Sequence, residues 1–333
     1  MAERTSGIIL HPAYEQARST LTRALDATIR GQIIFVVGLS GAGKSEIRYS
    51  AMRSFAGPPT KWSQGHLPAF AVRATPSDRS NFSPKEFTTR MYLELQEPNV
   101  DWLLSRSMVG SPDGGHVRAD ARLKSELWAK IRRSGPEHQL RHFVERMAVT
   151  RGVRAIFIEE AASLTYTGRH KQPGDHMVNY MCLAEEVGST LVLFGVPRMA
   201  ALWEGNAEIL RRSRFVFVNR YRLDLPSDRE NFERLVLSVG KGFRFSNAGL
   251  LRQCLDLAYA SSAGVFGELV AYLTRADDLR ASEGSVAITK KHMEDAISTD
   301  AVLKTLYEDA ALFDSLKTPA NARLIRGLMD SQR

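Results

Sequence analysis

The stretch "FVVGLSGAGKSEI", residues 35 to 47, restricts the fold more than any other part of the chain. "QIIFVVG" is a short, β-branched apolar run of the kind that forms a strand buried on both faces. "SEIRYSAMRSF" has helical character. Between them "GLSGAGKS" satisfies the pattern GxxxxGK[ST] in the one context that gives it meaning, a strand entering a glycine-rich loop that opens a helix. Gly38, Gly41 and Gly43 let the backbone turn tightly and aim its N–H groups inward, with Ser40 and Ala42 completing the loop. The helix N-terminus, at Lys44, Ser45 and Glu46, adds positive potential. Lys44 is expected to reach the β- and γ-phosphates of a nucleoside triphosphate, and Ser45 to ligate Mg²⁺.

A loop of this kind needs an acidic strand beside it. "RAIFIEEAASL" supplies one, with apolar Ile156, Phe157 and Ile158 ending in Glu159 and Glu160. Glu159 stands in the metal position, one methylene longer than the usual Asp. Glu160 is the candidate general base. A further strand, "STLVLFGV", ends in Gly195 and Val196, so the polar side chain that often contacts a γ-phosphate there is missing. One helix later come Arg211, Arg212 and Arg214. Arginines in such a place can neutralise transition-state charge in a neighbouring subunit, and the three are not distinguishable by sequence.

Strands at "QIIFVVG", "PAFAVRAT", "RAIFIEE", "STLVLFGV" and "RFVFVNRYRLD" alternate with helices. The expected fold class is therefore α/β, a parallel five-stranded sheet flanked by helices. Helices are expected over 12–30 and 137–150, and after Ser83 as N-cap. A Gly- and Pro-rich loop, "RSMVGSPDGGHV", is expected to lead into a basic amphipathic helix from Arg118 to Arg133. The interval from Lys44 to Glu159 exceeds what one strand and its helices require, which marks residues 104 to 135 as an elaboration. Beyond "LDLPSDRENFERLV" the pattern is helical. The expected division is 1–226 for the α/β domain, 227–299 for a small all-helical lid, and 300–333 for a C-terminal tail, a candidate partner-docking segment that ends in the basic, mobile stretch "KTPANARLIRGLMDSQR".

These parts together resemble an AAA+ ATPase, and more narrowly the TniB/TnsC group of transposition regulators. The likeness covers roughly residues 10 to 298. It rests on the phosphate loop, on "IFIEEAASL", on "LVLFGVPRM…LRRSRF", and on "SSAGVFGELVAYLTRADDLRASEGSVAITKKHMEDAI", similar to the family's lid. The resemblance implies ATP and Mg²⁺ as cofactors, and a homo-oligomer, ring or helical filament, on double-stranded DNA. It implies recruitment of a transposase, work alongside a target-selector protein, and hydrolysis that dissolves the assembly. It also implies that Lys44, Ser45, Glu159 and Glu160 hold nucleotide and metal, that the Arg211–Arg214 cluster acts in trans, and that Gly264 and Gly267 approach the nucleotide. Where many relatives have a lid arginine, this chain has Glu268, which points with Glu159 and Val196 to slow or partner-stimulated hydrolysis.

The net charge of +8 favours a polyanionic partner. Expected DNA contacts, mainly to phosphates, are Lys61, Arg79, Lys85, Arg118, Arg122, Lys124, Lys130, Arg132 and Arg133. Two other functions fit the same motifs: a small-molecule P-loop kinase or phosphotransferase, and an ATP-binding scaffold that does not hydrolyse. The start lacks a signal-peptide run and no stretch reaches the ~18 apolar residues of a membrane span, so no membrane partner and a cytoplasmic location are expected. The two cysteines, Cys182 and Cys254, have no metal-ligand spacing and read as small buried residues.

Overall fold

The computed structural model describes residues 10–27, 29–76, 81–103, 136–167 and 172–319, together with Arg326 and Met329. Arg79 and the expected basic helix, with Arg118, Arg122, Lys124, Lys130, Arg132 and Arg133, lie outside the described residues.

Helix α1 (Pro12–Asp26) starts on a proline at its first turn and buries Tyr14, Ala17, Leu21 and Leu25, one stripe at helical spacing. Strand β1 (Ile33–Gly38) is buried along its whole length. It delivers the chain into α2 (Lys44–Ala56), whose N-cap, Gly43, is left-handed at φ 86°. Then come β2 (Ala69–Arg73) and α3 (Pro84–Gln96), capped as expected by Ser83, which accepts from the Glu86 N–H. Next are α4 (Glu137–Thr150), β3 (Ala155–Glu159), α5 (Pro173–Val187), β4 (Thr190–Gly195), α6 (Ala207–Arg212) and β5 (Ser213–Val218).

All strand pairs are parallel, in the order β2-β3-β4-β1-β5. The two continuously apolar strands, β1 and β4, lie inside the sheet, as full burial on both faces requires. β5 closes one edge; its first three residues are half-buried, and Val216 and Val218 are buried. Helix α1 packs on α2 and β5, while α3 packs on α4 and β2.

After β5 the chain is helical: α7 (Pro226–Gly240), α8 (Leu250–Gln253), α9 (Leu255–Ser262), α10 (Phe266–Ser282) and α11 (Lys290–Asp295). These helices enclose a second apolar cluster around Phe232, Leu250, Leu269, Tyr272 and Met293. Ala13 and Tyr221 belong to that cluster too, so the start of α1 and the chain after β5 are tied to it.

Three expectations need correction. The expected tail is helical up to Lys317: α12 (Asp300–Lys317) buries Ala310 and Phe313 in the main core, while most of the residues beyond Pro319 lie outside the described residues. Phe313 meets Phe217 of β5 edge-on at 5.9 Å, and Asp314 takes both ends of the Arg220 guanidinium, with Nη2 at 2.6 Å. Tyr307 donates to the Ala260 carbonyl, so α12 touches both the sheet domain and the lid. Second, Cys182 is exposed, because it falls on the outward stripe of α5 between buried Met181 and Leu183; only Cys254 is buried. Third, α1 ends at Asp26, short of the expected 30.

Candidate nucleotide site

The phosphate loop lies at the C-terminal end of β1, an interior strand between β4 and β5, with β3 and β4 ending on the same side of the sheet. Gly41 and Gly43 both have positive φ, 72° and 86°, conformations that a side chain would strain. Lys44 folds back over the loop and donates to the carbonyls of Gly38 (2.9 Å) and Leu39 (2.7 Å). Burial lowers its pKa to about 8, and the nearby Glu160 carboxylate acts in the opposite sense. Among the described residues the hydrogen bonds of this largely buried ammonium run to neutral carbonyls, so it gains from a further anion, and the loop fits the phosphates of a nucleotide. Ser45 and Ser40 are exposed at its mouth, Ala42 is buried, and Glu46 pairs with Arg53 on the far side of the turn (3.7 Å).

Lys44, Ser45, Arg48, Glu159, Glu160 and Phe194 line one small cavity of about 30 Å³. The structure thus brings together the sequence-predicted Lys44, Ser45, Glu159 and Glu160. It adds Arg48, which sequence reasoning missed although it stands one helical turn after Lys44. Arg48 is buried, with Nη2 3.1 Å from Glu159 Oε1. For Mg²⁺ the fit is therefore poor: Ser45 offers its hydroxyl, but the carboxylate expected to hold the metal already neutralises an internal guanidinium.

Glu160 has φ 52° and ψ 39°, left-handed, at the start of the turn Ala161–Thr165. The Glu160 carbonyl accepts from the Ser163 N–H at 2.8 Å, which holds that turn. The carboxylate stands 3.7 Å from Arg73 at the end of β2, both side chains more than half exposed. It therefore sits between Lys44 and Arg73, reachable from solvent. Val196 is half-buried, and Gly195 before it is needed for packing: a Cβ there would lie 2.6 Å from Met199 Sδ.

The lid closes directly on the loop. The Gly267 N–H donates to the Gly41 carbonyl at 2.9 Å, and a Cβ on Gly267 would lie 2.6 Å from Gly41 Cα. Gly264 packs on the chain that leaves β5. It exchanges backbone contact with Tyr221, whose N–H donates to its carbonyl at 3.0 Å, and a Cβ there would run into the Tyr221 carbonyl oxygen. Gly264 therefore fixes the lid to the chain leaving β5. Beside this junction an aromatic group converges that the sequence did not reveal, since its members come from positions 11, 14, 221 and 266. His11 stacks on Phe266 (5.4 Å, 23°), and its Nδ1 lies 2.9 Å from the Tyr221 hydroxyl. Tyr14 is the nearest side chain to Gly43. Burial lowers the His11 pKa to about 4.

Arg211, Arg212 and Arg214 lie at the other end of the sheet. Ser213 pairs with Ile33, the first residue of β1, so the cluster is about 20 Å from the phosphate loop at ~3.3 Å per strand residue. Arg212 is bound to Glu185 and lies 3.9 Å from Glu208. Arg211 is exposed, Arg214 half-buried, and among the described residues neither has a carboxylate partner. Arg211 and Arg212 join Ile29, Arg30, Gly31 and Gln32 around an open cavity of about 270 Å³. Of the expected DNA contacts within the described residues, Lys61 and Lys85 are both exposed. Among the described residues no helix is long and apolar enough to cross a membrane.

No family model matches the chain, and no curated protein does. Solved structures do. A Walker-type ATPase of Pyrococcus abyssi matches with a TM-score of 0.53 at 12% identity, over 96% of this chain and 88% of that one. The ORC2 protein of Aeropyrum pernix, in its ADP form, matches with a TM-score of 0.50 at 13% identity, over 88% and 70%. At these identities the likeness establishes the fold: the chain has the P-loop ATPase architecture, with a five-stranded parallel sheet and a helical C-terminal region.

Proposed function

We propose that the chain is an AAA+ ATPase that assembles on duplex DNA and regulates DNA transposition. ATP would seat its phosphates on the loop at Gly41–Ser45 and its base against the aromatic group of His11, Tyr14, Tyr221 and Phe266. The observation that carries the reading is the separation of two complementary surfaces. The phosphate cradle is at one end of the sheet, and an exposed arginine, Arg211, without a carboxylate partner among the described residues, is at the other. A residue that far away cannot reach its own nucleotide, and its free donors support the reading that it serves a neighbour's, as where a nucleotide is shared between subunits. Glu160 would orient and deprotonate the attacking water, with Arg73 and Lys44 flanking it. The positive charge, with Lys61 and Lys85 exposed, favours a DNA backbone as the surface on which copies line up. A transposase and a target selector are the partners that the family resemblance adds.

Two features favour a second reading, an ATP-dependent scaffold with little turnover: Glu159 is engaged by Arg48, and Val196 has no polar group to offer a γ-phosphate. Imaging by negative-stain electron microscopy with a non-hydrolysable ATP analogue, with and without duplex DNA, tests the assembly. Rings or filaments are expected only with both. Particles that stay monomeric in every condition sink it. Lys44→Ala should weaken ATP binding by tenfold to ~100-fold, the worth of one or two charge-assisted hydrogen bonds, and abolish loading on DNA.

A further inference from the structure

Arg48 is unusual for where it stands. Its side chain is 6% exposed, yet a guanidinium carries five N–H donors and a charge that must be compensated when buried. The compensation is sparse. Among the described residues Nη2 reaches Glu159, Nη1 has only Met52 Sδ at 3.7 Å, and Nε has no hydrogen-bond partner. The Tyr49 ring lies 4.2 Å from Cζ. A second acid, Glu94 on α3, also feels both charges, and its own pKa is raised chiefly by burial. Arg48 and Glu159 both line the cavity beside Lys44 and Ser45, so a half-satisfied buried cation faces the place where phosphates would lie.

We infer that Arg48 is the resident counter-cation of this site: it neutralises Glu159, faces the triphosphate, and lets the loop bind nucleotide with little dependence on a divalent metal. The inference rests on the reading of residues 38–45 as a nucleotide site. The physical reason is competition. A guanidinium at 3.1 Å holds Glu159 Oε1 in an ion pair, so a divalent cation drawing on the same carboxylate must share its charge with Arg48 or displace it, and in either case sits close to a buried like charge. Conversely, the unpaired Nε and underused Nη1 gain acceptors when phosphate oxygens arrive, which no metal is needed to supply. Arg48 is thus a positioning and specificity residue, and Met at its place would leave Glu159 free to support a metal.

The test measures the equilibrium affinity of the full-length protein for a fluorescent ATP analogue in EDTA and in millimolar Mg²⁺, without turnover as a readout. The wild type should show a ratio of dissociation constants, EDTA over Mg²⁺, below about threefold. Arg48→Met, checked for folding by circular dichroism, should raise that ratio to tenfold or more. Arg48→Lys, which keeps the charge, should keep it low and guards against a misfolded Met variant. A wild-type ratio of tenfold or more, or a ratio unchanged in Arg48→Met, overturns the inference. Absence of binding in both buffers overturns the nucleotide reading itself, whereas tight binding with strong Mg²⁺ dependence leaves that reading intact and removes only the role of Arg48.

Discussion

At the C-terminal ends of the strands, Lys44 and Arg48 are withdrawn from water, one held by carbonyls and the other by Glu159. At the N-terminal ends, Arg211 stands in solvent and Arg30 and Arg212 border an open cavity. The same residue chemistry therefore carries different energetic weight at the two ends. A buried cation is tied to the stability of its own chain, because the loss of its partner strands a charge where water cannot reach. An exposed arginine costs its own fold little and keeps its donors for whatever arrives from outside.

That contrast can be broken by substitution. The largest effect is expected from Glu159→Ala, which leaves the Arg48 guanidinium buried without an acid: about 3–5 kcal/mol of stability lost, read as a fall in the urea midpoint. A change below ~1 kcal/mol would mean that Arg48 simply swings out to solvent. Second comes a pH effect at the lid junction. The folded-state pKa of His11 lies below its ordinary 6.5, so the unfolded chain takes up the proton first as pH falls. Stability is complete above 6.5 and declines between 6.5 and about 4, by roughly 3 kcal/mol at most. Melting curves at pH 7 and pH 5 should show the drop, and His11→Phe should flatten it. Third, Gly267→Ala puts a methyl group against Gly41 and should cost ~1–3 kcal/mol or lift the lid off the loop, visible as faster amide exchange in α10. The smallest structural effect belongs to Arg211→Ala: within about 0.5 kcal/mol of wild type, with ATP affinity of the isolated protein unchanged. Its cost is expected only in assembled protein, where ATP turnover should fall tenfold or more.

The strands and the phosphate loop were readable because their signals are local: β-branched runs, a glycine pattern and the helix that follows occupy a dozen consecutive residues. Glu159 and Glu160 were found for the same reason, at the end of one apolar run. The engagement of Glu159 was not readable, since its partner lies on α2 and only the alignment of α2 against β3 brings them together. The aromatic group around His11 likewise depends on the lid folding back to the start of α1. For α12 a signal existed and was passed over: Leu306, Ala310, Phe313 and Leu316 form one apolar stripe at helical spacing, among charges that gave the segment the look of a free tail.

The interior position of β1, between two strands that come much later in the chain, has a consequence for how the chain is made. Its first residue, Ile33, pairs with Leu191 on one side and Ser213 on the other, and the loop it carries is closed by Gly267. During synthesis the strand that leads to the phosphate loop, ending at Gly38, precedes both of its neighbours, which start only at Thr190 and Ser213. At ~5–20 residues per second, β1 waits for many seconds with both edges unpaired and wholly apolar. Folding of this protein is therefore a late, long-range event, and ATP can aid it only at the last stage, when the lid reaches the loop.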